Sequence, residues 1–214
     1  ITQKLLKELT DDKKSLRELV YRVENDEKLL ADCECHELLE RIELYNGIDR
    51  GFRLRFNFST EVQSLRPHDH RYSFSTYIAR GTYKHIWFSA NEEIYDGQRD
   101  DEVKQWIDKQ NPDADSNVNT RKMNPLFIAD ENKKACYTIH HSAVHATITE
   151  PETVSLFLRG PGEKVRSLIA DRETNKIWWR FGRENEKDKR ITSKKMPLER
   201  YYTLRAKLED WGLI

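Results

Sequence analysis

Five histidines fall into two short segments of the sequence, and their spacing is typical of a metal site. His68 and His70 are separated by one residue, and a later segment holds His140, His141 and His145. On a β-strand, residues i and i+2 face the same side, so His68 and His70 would direct two imidazoles at one point. Neutral imidazole nitrogens on a rigid element bind divalent metals at about 2.0–2.1 Å. We therefore predict that His68 and His70 are two ligands of a metal ion.

A third ligand is predicted in the later histidine-rich segment. His145 follows an apolar pair at 143–144 and precedes a turn at 150–151, which fits a ligand on a hairpin strand. His141 has the same parity along the strand and is the alternative third ligand. His140 has the opposite parity and is predicted to face away from the site.

The histidines lie in a region whose apolar residues recur with a period of two. Residues 52–58 alternate apolar and polar side chains, which predicts a strand. Further strand-like runs follow at 71–79, 82–88, 135–149, 153–159, 165–170 and 176–181, with a predicted hairpin turn before 176 that includes Asn175. Seven or more short strands in series predict an antiparallel sandwich or barrel.

The flanks of this region have a different pattern. Residues 1 to about 46 carry leucines and valines at helical spacing, and a final helix is predicted from Pro197 onward. We therefore divide the chain into an N-terminal helical segment (1–49), a barrel (50–182) and a C-terminal extension with a helix (183–214). Within the barrel, residues 89–134 read as a polar insertion, either a lid or a surface loop.

Composition excludes several classes of function. The 37 basic and 37 acidic residues give zero net charge, which argues against general nucleic-acid binding. No apolar run approaches the ~18 residues of a membrane span. Three cysteines cannot form a disulfide framework and fit a reducing, cytoplasmic compartment. Cys33 and Cys35 precede His36, but this stretch is predicted to be helical, so its thiols are expected to be idle.

Two segments resemble the motifs of the cupin superfamily. Residues 66–83 contain His-x-His and then Gly81, as in the first cupin motif, and residues 137–161 resemble the second motif. The resemblance covers roughly 50–182. It implies a mainly β (α+β) fold: an antiparallel double-stranded β-helix, the cupin or jelly-roll barrel, here with N-terminal helices and a C-terminal helix. Where the first motif usually has a Glu ligand, this chain has Phe74 or Ser75.

A site of three histidines without a carboxylate resembles the ferrous sites of thiol dioxygenases of the cysteine dioxygenase type. Three neutral ligands leave the full 2+ charge on the metal, which favours an anionic bidentate substrate or a thiolate. The resemblance thus implies an Fe(II)-dependent dioxygenase that uses O₂ on a small polar or anionic substrate, amino-acid-like or a thiol. The substrate-binding Arg and the Tyr of those enzymes have no matching positions here. Ni, Cu, Zn and Mn remain alternative metals.

Arginines on the predicted strands are candidate anchors for an anionic substrate, because a guanidinium binds a carboxylate in a bidentate manner. Arg53 and Arg55 share one strand face, which is either solvent-exposed or the wall of a polar cavity. Arg159 follows on a later strand. Tyr83 and His85, on the strand after Gly81, complete the predicted substrate-binding set, with His85 acting either on substrate or behind a ligand.

Two other functions remain open. One is a metal-dependent cupin isomerase or lyase without O₂, and the other is a cupin that binds a ligand without catalysis. The expected partners are a small-molecule substrate and O₂, with no nucleic acid and no membrane. A homodimer through edge strands is also compatible with the pattern.

Overall fold

A computed structural model of the chain describes residues 1–47, 51–89, 123–174, 176–180 and 194–214. The chain begins with helices α1 (Thr2–Asp11), α2 (Lys13–Arg22) and α3 (Glu27–Asp32), with a 3₁₀ turn at Val23–Asn25. Helix α4 (Leu198–Asp210) follows Pro197, which confirms the prediction of a final helix. No described helix is long and apolar enough to cross a membrane.

Side-chain caps explain where the second and third helices begin. Asp12 accepts a hydrogen bond from the backbone N–H of Ser15 at the start of α2. Asp26 does the same for Lys28 and Leu29 at the start of α3. These acceptors satisfy N–H groups that have no partner within the helix.

Two six-stranded antiparallel sheets form the rest of the described chain. Sheet A has the strand order β1-β2-β3-β10-β5-β8, and sheet B has the order β12-β11-β4-β9-β6-β7. The strands are β1 (Glu34–Cys35), β2 (Leu39–Gly47), β3 (Phe52–Ser59), β4 (Ser64–His68), β5 (Phe74–Arg80), β6 (Tyr83–Phe88), β7 (Pro125–Glu131), β8 (Cys136–Ile139), β9 (His145–Thr149), β10 (Val154–Arg159), β11 (Ser167–Asp171) and β12 (Lys176–Arg180).

The eight strands from β3 to β10 form a double-stranded β-helix. Sheet A contributes β3-β10-β5-β8 and sheet B contributes β4-β9-β6-β7, so the chain crosses between the sheets after most strands. This is the jelly-roll arrangement found in cupins. The predicted fold class is confirmed: mainly β, antiparallel, with helices at both ends of the chain.

The two faces of sheet A differ in polarity. Its outer face packs on the helices through a buried apolar cluster that includes Leu54, Phe56 and Leu156 from the sheet and Leu6 and Leu204 from the helices. The alternation within β3 therefore turns its polar residues inward, between the sheets. Arg55 is 8% exposed and Asn57 is 4% exposed, so this face is buried between the sheets and is not a solvent-exposed surface.

The structure corrects the predicted helix at residues 33–46. Helix α3 ends at Asp32, and β1 and β2 follow it within sheet A. A bulge between Glu43 and Tyr45 inserts an extra residue into β2. It breaks the two-residue period that would have marked this segment as a strand. The Cys33–His36 segment is thus not helical, although Cys33 is buried and all three thiols are free.

The structure also corrects two further predictions, the insertion at 89–134 and the single strand at 135–149. Residues 125–131, placed in the insertion, form β7, which pairs with β6 and belongs to the double-stranded β-helix. The remaining part of the insertion, 90–122, lies outside the described residues. The run 135–149 consists of two strands, β8 and β9, because residues 140–144 leave the sheet. The hairpin of β11 and β12 is confirmed, with Asn175 itself outside the described residues.

Candidate metal centre

Two neighbouring strands of sheet B bring three histidines together. His68 is the last residue of β4, and it lies directly opposite His145, the first residue of β9, in the antiparallel register. His70 follows β4 by two residues, and its backbone N–H donates to the carbonyl of His141 at 3.1 Å. Each of the three side chains offers a ring nitrogen within 4.8 Å of the others. We call this group the His68–His70–His145 triad.

Hydrogen bonding fixes which nitrogen of His68 faces the triad. Its Nδ1 lies 3.0 Å from the carbonyl oxygen of Arg66. A carbonyl only accepts, so Nδ1 carries the proton and Nε2 keeps its lone pair. His68 is therefore held as the tautomer that binds a metal through Nε2.

His145 is supported from behind by His85. The two rings are stacked with centroids 5.0 Å apart, and their Nδ1 atoms lie 3.1 Å apart. On its other side, His85 Nε2 lies 3.0 Å from the hydroxyl of Tyr137. If His145 binds through Nε2, its Nδ1–H donates to His85, and His85 Nε2–H donates to Tyr137. The structure therefore places His85 in direct contact with His145.

Burial keeps the imidazoles of this region neutral. It lowers the pKa of His68, and it lowers the pKa values of His70 and His145 well below 6.5, with the neighbouring histidines adding to the effect. Burial also lowers the pKa of His85 to about 4. Neutral imidazoles are the form that binds metal, so no proton has to be displaced from a cationic ring at neutral pH.

The alternative ligand His141 lies outside the triad. Its side chain turns to the surface, where Nδ1 is 2.8 Å from Glu163 Oε2. His140 is exposed, and its ring contacts that of His141 with centroids 4.0 Å apart. It lies outside the triad, but strand parity is not the reason, because residues 140–144 leave the sheet. His140, His141 and Glu163 form a second group with metal-ligand atoms in reach of one another. Such solvated groups are common on protein surfaces, and we assign no role to this one.

No carboxylate of the described chain joins the triad. Phe74 packs edge-on against the ring of His70 at 4.7 Å, so an apolar ring stands beside the ligands. Ser75 faces the opposite side of the sheet, where its hydroxyl bonds Thr2 of α1 at 2.7 Å. Asp69, between the two histidines in sequence, is buried, pairs with Lys164 and accepts from the backbone N–H of Leu168 at 2.7 Å.

The predicted substrate residues fall into two groups. Arg53, Arg55 and Arg159 lie on the inner face of sheet A, with Arg53 opposite Arg159 in the β3–β10 register. Tyr83 is buried, and its hydroxyl lies 3.0 Å from Ser155 Oγ, which links the two sheets. The structure therefore brings the arginines together and holds the Tyr83 hydroxyl in a hydrogen bond within the protein.

Three residues that lie near the triad or on the inner face of sheet A could not be predicted from the sequence. Tyr137 contacts His85 through its hydroxyl, and no pattern in the sequence pointed to this contact. Tyr72 lies beside the site, with its ring centroid 6.2 Å from that of His70. Arg41 joins the other arginines on sheet A, and it was missed because its segment was predicted to be helical.

Comparison with known proteins adds fold-level similarities. No protein-family model and no curated protein match the sequence. The chain is similar to KdgF from Halomonas sp., at 9% identity and a TM-score of 0.36 over 60% of this chain and 84% of that one. It is similar to an RmlC-like cupin protein from Ralstonia eutropha, at 9% identity and a TM-score of 0.39 over 78% of this chain and 74% of that one. It is also similar to Streptomyces albus HEPD, solved with 2-hydroxyethylphosphonate and Fe(II) bound, at 8% identity and a TM-score of 0.37. That similarity covers 60% of this chain and 22% of HEPD. At these values none of them carries an argument about activity.

The geometry of the triad fits a divalent metal ion. His70 Nε2 and His145 Nε2 are 2.9 Å apart. Two nitrogen atoms that bind one metal ion at adjacent octahedral positions, each at about 2.0–2.1 Å, lie roughly 2.9 Å from each other. In the metal-free protein, the same distance suits a hydrogen bond between two neutral imidazoles. Three imidazoles on one side of an ion would leave its other positions open to substrate.

Proposed function

We propose that the chain is an Fe(II)-dependent oxygenase, of the dioxygenase type, which uses O₂ on a small polar or anionic substrate. The observation that carries the proposal is the His68–His70–His145 triad, three neutral imidazoles that lie close together with no carboxylate among the described residues beside them. Three neutral ligands suit a metal that also binds an anionic substrate, because the charge of the ion is not offset by the protein.

A ferrous ion bound there would supply coordination positions at which substrate and O₂ meet. The protein positions the ligands. The carbonyl of Arg66 fixes the tautomer of His68, and His85 would accept the Nδ1–H of a His145 that binds metal through Nε2. Phe74 and Trp87 flank the triad and limit the access of water, with ring centroids 4.7 Å from His70 and 5.3 Å from His145. A dry, aromatic wall strengthens electrostatic interactions within the site.

Arg53, Arg55 and Arg159 are proposed to bind the substrate, since they lie on the inner face of sheet A, which faces sheet B. His85 is proposed to act on the site indirectly, through its contact with His145. Tyr83 is proposed to help form the wall of the site, where its hydroxyl is hydrogen-bonded to Ser155. An amino-acid-like or thiol substrate, a homodimer and a cytoplasmic location stay predictions from the sequence, as do the domain boundaries.

A metal-dependent isomerase or lyase is the second candidate. The triad would serve it equally, since a Lewis acid needs only open positions on the ion. Ni, Cu, Zn or Mn would suit the same donors, because affinity alone does not select iron. A ligand-binding protein without catalysis is the third candidate, and it needs no metal.

Metal content and oxygen uptake separate the three functions. The chain is purified without chelator, loaded anaerobically with Fe(II), and compared with His68→Ala and with the surface control His140→Ala. We expect one iron per chain in the wild type and His140→Ala, its loss in His68→Ala, and substrate-dependent O₂ uptake only where iron is bound. Metal binding with turnover but no O₂ uptake would favour the isomerase or lyase. A wild type without affinity for any divalent metal would overturn the metalloenzyme proposal.

A further inference from the structure

Asp69 lies between His68 and His70 in sequence, and its side chain binds β11. Its Oδ1 accepts from the backbone N–H of Leu168 at 2.7 Å, and its own backbone N–H donates to the carbonyl of Leu168 at 3.1 Å. Residue 69 is therefore joined to β11 twice, once through its side chain and once through its backbone. This double link directly follows the pairing of His68 with Ile169 in the register of β4 and β11.

A buried ion pair completes the surroundings of Asp69. The side chain of Asp69 is 0% exposed, and its Oδ2 pairs with the ammonium group of Lys164, which is 14% exposed. Burying a carboxylate is unfavourable unless an opposite charge and hydrogen bonds compensate for the lost water. Well-packed apolar side chains often stabilise a fold as much as a buried ion pair does, so stability alone gives no reason for a charged pair here. The directional bonds of the pair do, however, hold one arrangement of the backbone.

The loop between β10 and β11 holds the chain on the other side of His70. The carbonyl of Arg71 accepts from the backbone N–H groups of Glu163 at 2.8 Å and Lys164 at 3.2 Å. Lys164 thus binds the chain after β4 at two points, through its backbone to Arg71 and through its side chain to Asp69. Both sequence neighbours of His70 are therefore fixed to the segment that leads into β11.

The position of residue 69 determines where two of the three imidazoles meet the third. His68 and His70 are its direct neighbours, whereas His145 belongs to another strand, β9. A shift or rotation of the backbone at residue 69 would move both imidazoles relative to His145, whose Nε2 lies 2.9 Å from that of His70. Ligands have to be held to within about 0.5 Å for a preorganised site, so such a shift would weaken metal binding.

We propose that Asp69 is a positioning residue of the metal centre. Together with Lys164 it fixes segment 68–70 to β11, so that His68 and His70 already face His145 before a metal ion binds. Asp69 acts through the backbone and contacts neither metal nor substrate. The proposal rests on the proposed function for the metal ion, whereas the placement of the histidines is a property of the metal-free protein.

The first measurement is the affinity for Zn(II), by competition with a chelator. The control is Glu40→Gln, which weakens another partly buried ion pair, that of Glu40 with Arg200 where β2 meets α4. Asp69→Ala should raise the Zn(II) Kd about tenfold or more and keep one Zn(II) per chain at saturation, as is usual when an outer partner of a ligand is lost. Asp69→Asn keeps an oxygen that accepts from Leu168, so its Kd should lie between those of Asp69→Ala and the wild type.

Glu40→Gln separates positioning from general destabilisation. It should lower the stability to urea while leaving the Zn(II) Kd within about twofold of the wild type, since it does not touch the segment that carries the ligands. Asp69→Ala should instead change the Kd by more than a control of equal stability does. A Kd of Asp69→Ala within about twofold of the wild type would overturn the proposal, as would an equal loss of affinity in Glu40→Gln.

The second measurement needs no metal. Long-range ¹H–¹⁵N NMR spectra of the metal-free protein report the tautomer of each histidine ring. The wild type and Glu40→Gln should show one set of ring signals for His68 and for His70, with the proton of His68 on Nδ1 beside the carbonyl of Arg66. Asp69→Ala should show averaged tautomers or more than one set of signals for these two rings.

The two measurements fail in different ways. A wild type that binds no divalent metal would count against the proposed function, and the ring spectra would then decide the positioning role, which unchanged tautomers and single signal sets in Asp69→Ala would overturn. Should Asp69→Ala fail to fold, Lys164→Met carries both tests, because it removes the charge beside Asp69 and retains the two links to Leu168. It should raise the Zn(II) Kd in the same direction, and a wild-type Kd in this variant would refute the role of the ion pair.

Discussion

The Nε2 atoms of His70 and His145 lie 2.9 Å apart although the two residues are 75 positions apart in sequence. The pairing of β4 with β9 produces this contact, because it sets His68 opposite His145 and extends the chain beyond β4 to His70. Both rings are neutral, since burial lowers their pKa values well below 6.5. Each prediction below depends on one part of this arrangement.

The first prediction separates the two candidate third ligands. His145→Ala should reduce the metal bound per chain to a small fraction of the wild-type value, because it removes one of three nitrogens at the site. His141→Ala should bind metal within about twofold of wild type, since this side chain pairs with Glu163 instead. Metal analysis after anaerobic loading and desalting makes the comparison. The opposite result, with His141 needed and His145 dispensable, would refute the assignment.

The second prediction concerns His85 as a positioning residue. His85→Phe keeps a ring stacked on His145 but removes the nitrogen that lies 3.1 Å from its Nδ1. Loss of such an outer partner typically weakens metal binding about 10–100-fold. We expect a metal Kd raised by this factor, with the wild-type stoichiometry recovered at saturating metal. Tyr137→Phe, one step further out, should show a smaller effect. An unchanged Kd in His85→Phe would mean that His145 needs no support from this side.

Part of the histidine triad could be predicted from the sequence because the signal of His68 and His70 is local. His68 and His70 show the two-residue spacing that directs both toward one side, and the alternation in β3 marks Arg53 and Arg55 as one face. Whether that face met solvent or a cavity could not be decided locally. It depends on Leu54 and Phe56 packing against distant helices, which no spacing within β3 reveals.

The failures have equally specific causes. The bulge at Glu43–Tyr45 conceals the period of β2, so the segment that contains Arg41 was predicted to be helical. Strand β7 carries exposed Leu126, Phe127 and Ile128 in succession, without the alternation that marks a half-buried strand. Tyr137 acts only through His85, on a strand of the other sheet, and such a contact exists only once the sheets have packed.

The third prediction tests the turn that follows the first motif. Gly81 has φ of 76°, in the left-handed region, and a Cβ there would overlap the side chain of Thr153 and lie 3.0 Å from its Cα. Gly81→Ala should therefore lower the free energy of unfolding by about 2 kcal/mol or more, from backbone strain and steric overlap together. Gly162→Ala is the matched control, because nothing lies within 4 Å of its Cβ position. It should change stability by less than about 0.5 kcal/mol in urea unfolding. Equal effects of the two substitutions would contradict the predicted strain.

The fourth prediction is a pH dependence of stability that arises from Glu43. This side chain is 1% exposed, and burial raises its pKa from 4.5 to about 7 although Arg55, Arg53 and Arg41 act in the opposite direction. Below pH 4.5 the carboxyl is protonated in both the folded and the unfolded chain. Between pH 4.5 and 7 it ionises only in the unfolded chain, so the free energy of unfolding falls as the pH rises.

Glu43→Gln removes this titration and keeps the shape of the side chain. A shift to about 7 corresponds to roughly 3 kcal/mol in all, at about 1.4 kcal/mol per pKa unit. The stability of Glu43→Gln relative to wild type should therefore rise by about 2–3 kcal/mol between pH 5 and pH 8, measured by urea unfolding of metal-free protein. A stability difference that stays constant between these two pH values would show that Glu43 is already ionised at pH 5, held by the arginines beside it.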